Sequence, residues 1–253
     1  MASAGFLYPG YSAEDDYPTL QKLIGSDVTL HLVHTLMRED AHRVDALLDI
    51  GGSDVLGEGA RELRALGVDS AVWACTSGSF VFGWEGARRQ VAEVREAAGV
   101  PASSTSFAFV HALRHLGIER VAIAATYPAD VARLFAEFLG EGGVEVVAWA
   151  DRGIVTAAEV GTLPAAEVVD FVAANDHPAA EAVLVPDTAL HSAAILPSLE
   201  ERLGKTVLTA NQVSVWEGLR LAGATAPRAG LGALFAAGAP DSEIDARGAV
   251  IDG

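Results

Sequence analysis

The sequence predicts an α/β protein built as two similar halves, with parallel sheets covered by helices on both faces. Three observations predict it. Short apolar runs alternate with helix-spaced apolar stripes along most of the chain. Several of the runs are nearly continuous in Ala, Val, Ile and Leu, as strands buried on both faces require. A domain-sized repeat relates residues 99–117 to residues 204–223.

Taken in order, residues 5–9 form an apolar run ending at Pro9-Gly10, and residues 28–33 alternate apolar and polar side chains; both read as strands. The polar stretch 11–17 between them reads as a loop. Val44, Leu47 and Leu48 give helical spacing, as do Ala60, Leu63 and Leu66 just before Gly67. The run Ala71-Val72-Trp73-Ala74 then reads as a buried strand that meets the small, hydroxyl-rich turn Cys75-Thr76-Ser77-Gly78-Ser79. Trp84, Ala87, Val91 and Val94 share one helical face, and Phe109, Ala112, Leu113 and Leu116 another. Residues 121–125 read as a strand, Tyr127-Pro128 as a turn, and Val131, Leu134, Phe135 and Phe138 as a helix. Residues 144–149 read as a strand, 164–174 as a helix starting near Thr162, and 182–185 as a buried strand. From Ala224 onward the chain is rich in Ala, Gly and Pro with little periodicity, which predicts a loosely held tail.

The repeat carries the functional argument. Each copy runs glycine, short β-like segment, small polar turn, then a helix ending Leu-Arg-x-x-Gly: Leu113-Arg114-His115-Leu116-Gly117 in the first and Leu219 to Gly223 in the second, there with Arg220. Ahead of the copies, residues 71–76 match 182–188 with one residue of slack, so Cys75 corresponds to Asp187. Two halves with equivalent strand ends would face one another across a cleft, with a thiol on one wall and a carboxylate on the other. Ligands of open α/β sheets bind beyond the carboxyl ends of strands. The turn after the strand would offer N–H groups to an anion and could draw the Cys75 pKa down toward thiolate. The competing readings are structural: Cys75 as a small buried hydrophobe, Thr76, Ser77, Ser79 and Asp187 as helix caps, and Tyr127 as a loop anchor.

Composition bounds the partners. A net charge of -17, from 34 acidic and 17 basic residues, disfavours nucleic acid and anionic membrane surfaces. No apolar run approaches a membrane span and no secretory leader is visible, so the chain is expected to be cytoplasmic. One cysteine excludes an intrachain disulfide framework and CxxC motifs. His111 and His115 are spaced i, i+4 without the glutamate of a metalloprotease helix, His31 and His34 fall on opposite strand faces, and neither GxSxG nor a phosphate-binding glycine loop is present.

The residues Cys75-Thr76-Ser77-Gly78-Ser79-Phe80, Ala125-Thr126-Tyr127 ahead of Asp130-Val131, Val183-Leu184-Val185-Pro186-Asp187-Thr188, and Leu199 to Lys205 followed by Asn211, Gln212 and Trp216 resemble the aspartate/glutamate racemase superfamily, in its maleate isomerase and arylmalonate decarboxylase branch. The resemblance runs to about Gly223. It implies two flavodoxin-like halves related by a pseudo-twofold, here residues 1–105 plus 212–253 and residues 106–211, with the site in the cleft between them and neither cofactor nor metal. Typical members place a cysteine on each side of the substrate carbon; Asp187 stands where the second would be. Maleate isomerases also carry asparagines where this chain has Pro9-Gly10-Tyr11 and Gly153-Ile154-Val155-Thr156.

Thr76, Ser77, Tyr127 and Thr188 are then the expected donors to a substrate carboxylate, and Cys75 and Asp187 the expected acid/base or nucleophilic pair on opposite faces of an enediolate. Two opposed titratable groups favour a racemase or isomerase of a small carboxylic or dicarboxylic acid. A decarboxylase with Cys75 as the proton donor, and a carboxylate-binding homologue without catalysis, are the alternatives. A homo-oligomer is compatible with all three.

Overall fold

The computed structural model describes residues 1–239. Eight strands, β1 (Ala2–Pro9), β2 (Val28–Thr35), β3 (Ser70–Trp73), β4 (Ala102–Ser104), β5 (Arg120–Ala124), β6 (Glu145–Ala150), β7 (Ala182–Val185) and β8 (Thr206–Thr209), form two sheets. Their orders are β2-β1-β3-β4 and β6-β5-β7-β8, and every pairing is parallel. The second sheet therefore repeats the first strand for strand, as the internal similarity requires. In each sheet the order reverses beside the first strand, and ligands of such sheets bind at the strands' carboxyl ends. No helix among the described residues is long and apolar enough to cross a membrane.

The central strands β3 and β7 are buried at every residue, as their unbroken apolar sequences demand. Two equivalent helices join the halves. Thr105–Leu116 starts directly from β4, with the Ser104 hydroxyl accepting from the Phe107 N–H at its N-terminus. Ala210–Leu221 starts directly from β8 behind a Thr209/Gln212 capping box. The two helices pack on one another, and Ala210–Leu221 lies across β1 and β3. Gly218 permits that approach, because a Cβ there would sit 2.9 Å from the Phe6 ring. The positions matched by the repeat, His111 and Glu217, meet between these helices: His111 Nδ1 lies 2.8 Å from Glu217 Oε1, and Arg220 donates to the same buried carboxylate.

Three local expectations are corrected. Residues 16–24, on the border of the stretch read as a loop, form a helix, Asp16–Ile24. Pro18 sits in its first turn, where a missing N–H costs nothing, and Tyr17, Leu20 and Ile24 are buried beneath it. The helix expected from Thr162 begins at Ala165, with Pro164 at its N-cap, and a separate short helix, Ala157–Val160, precedes it. The tail is not loose as far as residue 239. Leu231, Leu234 and Phe235 are buried, Gln212 donates to the Leu231 carbonyl, and Trp216 Nε1 donates to the Gly238 carbonyl at 3.0 Å. Those partners are side chains far back in the sequence, which periodicity within the tail does not register. The remainder of the expected tail lies outside the described residues.

Candidate active site

Cys75 and Asp187 each stand two residues beyond the last residue of an equivalent strand, Trp73 of β3 and Val185 of β7. Both line one cavity of about 30 Å³, with Tyr8, His42, Ser77 and Thr188 among its other walls. The strap 36–43 supplies Met37, Asp40 and His42 to one wall of it. Asp40 accepts from the N–H groups of Ala157 and Ala158 at 2.7 and 2.9 Å, and the His42 N–H donates to the Val155 carbonyl at 2.8 Å. His42 Nδ1 lies 3.0 Å from the Ile154 carbonyl, which can only accept, so Nδ1 carries a proton.

The Cys75 thiol is buried and receives the Gly78 N–H at 3.3 Å, with Ser77 Oγ 3.8 Å away. Burial pushes its pKa up to about 11. The Gly78 N–H and the Ser77 hydroxyl pull the other way without prevailing, and the Asp187 carboxylate adds to the rise. This corrects the expected thiolate. The helix at the turn, Ser77–Phe80, is a single turn, and desolvation outweighs the N–H groups it offers.

The turn is not explained by capping. Thr76 occupies the N-cap of Ser77–Phe80, yet its side chain makes no capping bond, and its buried Oγ1 has no hydrogen-bond partner among the described residues. A buried hydroxyl left unpaired is costly and asks for a partner. Asp187 caps no helix either, since the next begins at Leu196. One of its oxygens accepts the Thr126 hydroxyl in a short bond and the other accepts the Ala189 N–H at 2.9 Å, an Asx-turn arrangement.

Tyr127 is buried and donates to the Pro186 carbonyl at 2.8 Å, so in this state the phenol ties its loop to the β7 turn. Burial and the nearby Asp187 and Cys75 hold its pKa well above the ordinary range, while Thr76 and Ser77, close by, favour ionisation without making a bond of good geometry to it. Thr188 lines the cavity, and its carbonyl accepts from Tyr8 at 2.9 Å and from Asn211 at 3.1 Å. Of the six residues singled out in the sequence, Cys75, Ser77, Asp187 and Thr188 line the cavity directly, with Thr76 and Tyr127 buried beside Cys75.

Sequence reasoning missed Tyr8, His42 and Asp16. Tyr8 ends an apolar strand and looks like core. His42 lies in a stretch without periodicity. Asp16 sits in an apparently solvated polar run, yet is buried, where its carboxylate accepts from Ser192, Ala193 and Asn211. Only the side-chain polarity of Tyr8 at the mouth of the β1 turn gave a usable signal.

Paired parallel sheets of this order are the fold of the branch of the aspartate/glutamate racemase superfamily that the sequence resembles, and Cys75 and Asp187 stand at matched strand ends over a common cavity. A family model described as arylmalonate decarboxylase matches residues 51–235. Arylmalonate decarboxylase of Bordetella bronchiseptica is 32% identical over 179 residues, which cover 70% of this chain and 75% of that protein. The chain belongs to the arylmalonate decarboxylase family. Among solved structures, a double-substitution variant of arylmalonate decarboxylase in its liganded form superposes with a TM-score of 0.81 at 26% identity, covering 93% of this chain and 99% of that one. The maleate isomerase of Pseudomonas putida S16 with maleate gives a TM-score of 0.85 at 19% identity, covering 93% and 98%, a likeness of fold.

Proposed function

We propose that this protein is a carboxy-lyase for small malonate-type diacids, with Cys75 supplying the proton that takes the place of the departing CO₂. The observation that carries this reading is a thiol kept protonated by burial, beside a buried hydroxyl, Thr76 Oγ1, that has no partner of its own. A substrate carboxylate would accept from Thr76 and Ser77. Loss of the other carboxyl as CO₂ leaves the electron pair of the broken C–C bond in an enediolate, whose negative oxygens those donors stabilise. The Cys75 S–H then protonates the carbon, and the resulting thiolate recovers a proton from solvent. Proton delivery from one wall gives one product configuration from a prochiral diacid.

An isomerase or racemase is the second reading, favoured by the presence of Cys75 and Asp187 on one cavity. It is weaker because both Asp187 oxygens already accept hydrogen bonds from the protein. The experiment is turnover of 2-aryl- and 2-alkylmalonates in D₂O, following CO₂ release and deuterium incorporation. One deuterium per CO₂ released supports the carboxy-lyase. Deuterium exchange or configurational inversion of a monoacid without CO₂, lost in Asp187→Asn, would replace it with the isomerase, and binding without turnover would replace both.

Two further outcomes are expected. Because the acid acts in its protonated form and its pKa is pushed up to about 11, proton donation should persist through pH 10 and fall only above it. A pH–rate profile with its alkaline limb at the ordinary thiol value near 9 would contradict a buried donor. Thr76→Val, which keeps the shape and deletes the unpaired hydroxyl, should lower kcat by roughly 10²–10³. It should leave the thermal midpoint unchanged or raised, since a buried unsatisfied group is removed. A lowered midpoint with intact kcat would assign Thr76 to structure alone.

A further inference from the structure

A second cavity, about 330 Å³, shares no lining residue with the first. It lies between the helix Gly83–Ala98, which contributes Trp84, Arg88, Arg89 and Arg95, and the helix Thr105–Leu116, which contributes Phe107, His111 and Arg114. Its size is at the lower end of small-molecule sites. Its charge runs against that of the chain. Acids outnumber basic residues two to one overall, whereas this cavity has four arginines on its walls and one acid, Glu85.

The apolar part of the lining sets Trp84 and Phe107 beside Val91, Ala92 and Ala102. Trp84 meets Phe107 edge-on at 4.9 Å, and the His111 ring lies nearly parallel to Phe107, 18° off plane, at 6.2 Å. His111 is fixed from behind, because its Nδ1 is engaged by buried Glu217, which leaves Nε2 as the ring nitrogen available to a ligand. Arginines on facing helices over an aromatic floor suit a ligand with a flat ring and an anionic group.

We propose that this cavity binds a planar aromatic anion, its ring against Trp84 and Phe107 and its carboxylate or phosphate between Arg89 and Arg114. The site is separate from the chemistry at Cys75 and does not depend on which reaction occurs there. The test is calorimetric titration of the full chain with 2-naphthoate and with adenosine monophosphate, alongside cyclohexanecarboxylate, with the tryptophan fluorescence change that is lost in Trp84→Phe as the local probe. One aromatic anion should bind at a single site below millimolar concentration and perturb Trp84, and the preferred one identifies an aryl carboxylate or a nucleotide as the source.

Cyclohexanecarboxylate should bind about tenfold more weakly, for want of a π-face. Arg89→Ala/Arg114→Ala should weaken the aromatic anion by about tenfold or more, while Thr76→Val leaves its binding unchanged. Arg89→Glu, at an exposed helix position, provides the same reading should the double variant fail to fold. The proposal is overturned if neither aromatic anion binds below millimolar concentration. Binding that survives the arginine substitutions but is lost in Thr76→Val, and so belongs to the Cys75 cavity, overturns it equally.

Discussion

Cys75→Ala is expected to lower CO₂ release from a malonate substrate by two to four orders of magnitude, the usual contribution of a positioned general acid. Substrate affinity should change little, because Thr76 and Ser77 rather than the thiol hold the carboxylate in the proposed reaction. The enediolate can still form in the variant, so any residual product should lose its single configuration, with solvent protonating either face. Cys75→Ser should fall in between, since a hydroxyl occupies the position but gives up its proton less readily. A variant that keeps full rate and stereochemistry would remove Cys75 from the reaction.

The same substitution separates catalysis from stability. A pKa raised on folding means that the native state favours the protonated thiol. The associated stability is fully present below the unfolded value near 9 and is lost as pH rises through about 11. Cys75→Ala has no such titration. The wild type should therefore lose stability relative to the variant between pH 9 and 11, with no change in their difference below pH 8. Denaturant melts at several pH values measure this directly, and a flat difference across that window would mean that the thiol is more hydrated than its burial indicates.

How much of this was legible in the sequence follows from where the information resides. The turn at Cys75 was legible because an apolar run ending in small hydroxyl residues marks a strand end by itself, and the equivalence with Asp187 because a repeat carries strand order from one half to the other. The direction of the Cys75 pKa was not. The same turn can lower or raise it, and the outcome depends on burial by distant parts of the chain and on the Asp187 carboxylate. The capping alternatives were equally undecidable, since a hydroxyl at an N-cap position reads the same whether or not its bond is made. Asp16 was hidden for a related reason: an acid beside Asp15 and Glu14 looks solvated until helix Asp16–Ile24 turns it inward.

That buried acid should give the largest effect on stability. Asp16 Oδ2 accepts from the N–H groups of Ser192 and Ala193 at 2.9 and 3.2 Å, from the Ser192 hydroxyl at 3.3 Å and from Asn211 Nδ2 at 3.0 Å. Burial raises its pKa, and those donors oppose the rise. Asp16→Ala strips the acceptor from several buried donors at once, at a cost of roughly 1–3 kcal/mol for each donor left unsatisfied. For a chain of this size that corresponds to a fall in thermal midpoint of roughly 10 °C or more.

Function should fall with it. Asn211 also donates to the Thr188 carbonyl, which Tyr8 holds from the other side, so freeing Asn211 and residues 192–193 loosens the turn that carries Asp187 and Thr188. At a temperature where the variant is still folded, KM should rise and stereochemical purity should decline, because the wall opposite Cys75 is no longer fixed. Asp16→Asn should lie between the two, keeping one oxygen to accept but setting an N–H₂ group among donors. If Asp16→Ala melts with the wild type, water reaches the 192–193 turn, and Asp16 is not what joins the first helix to the β7 side of the cleft.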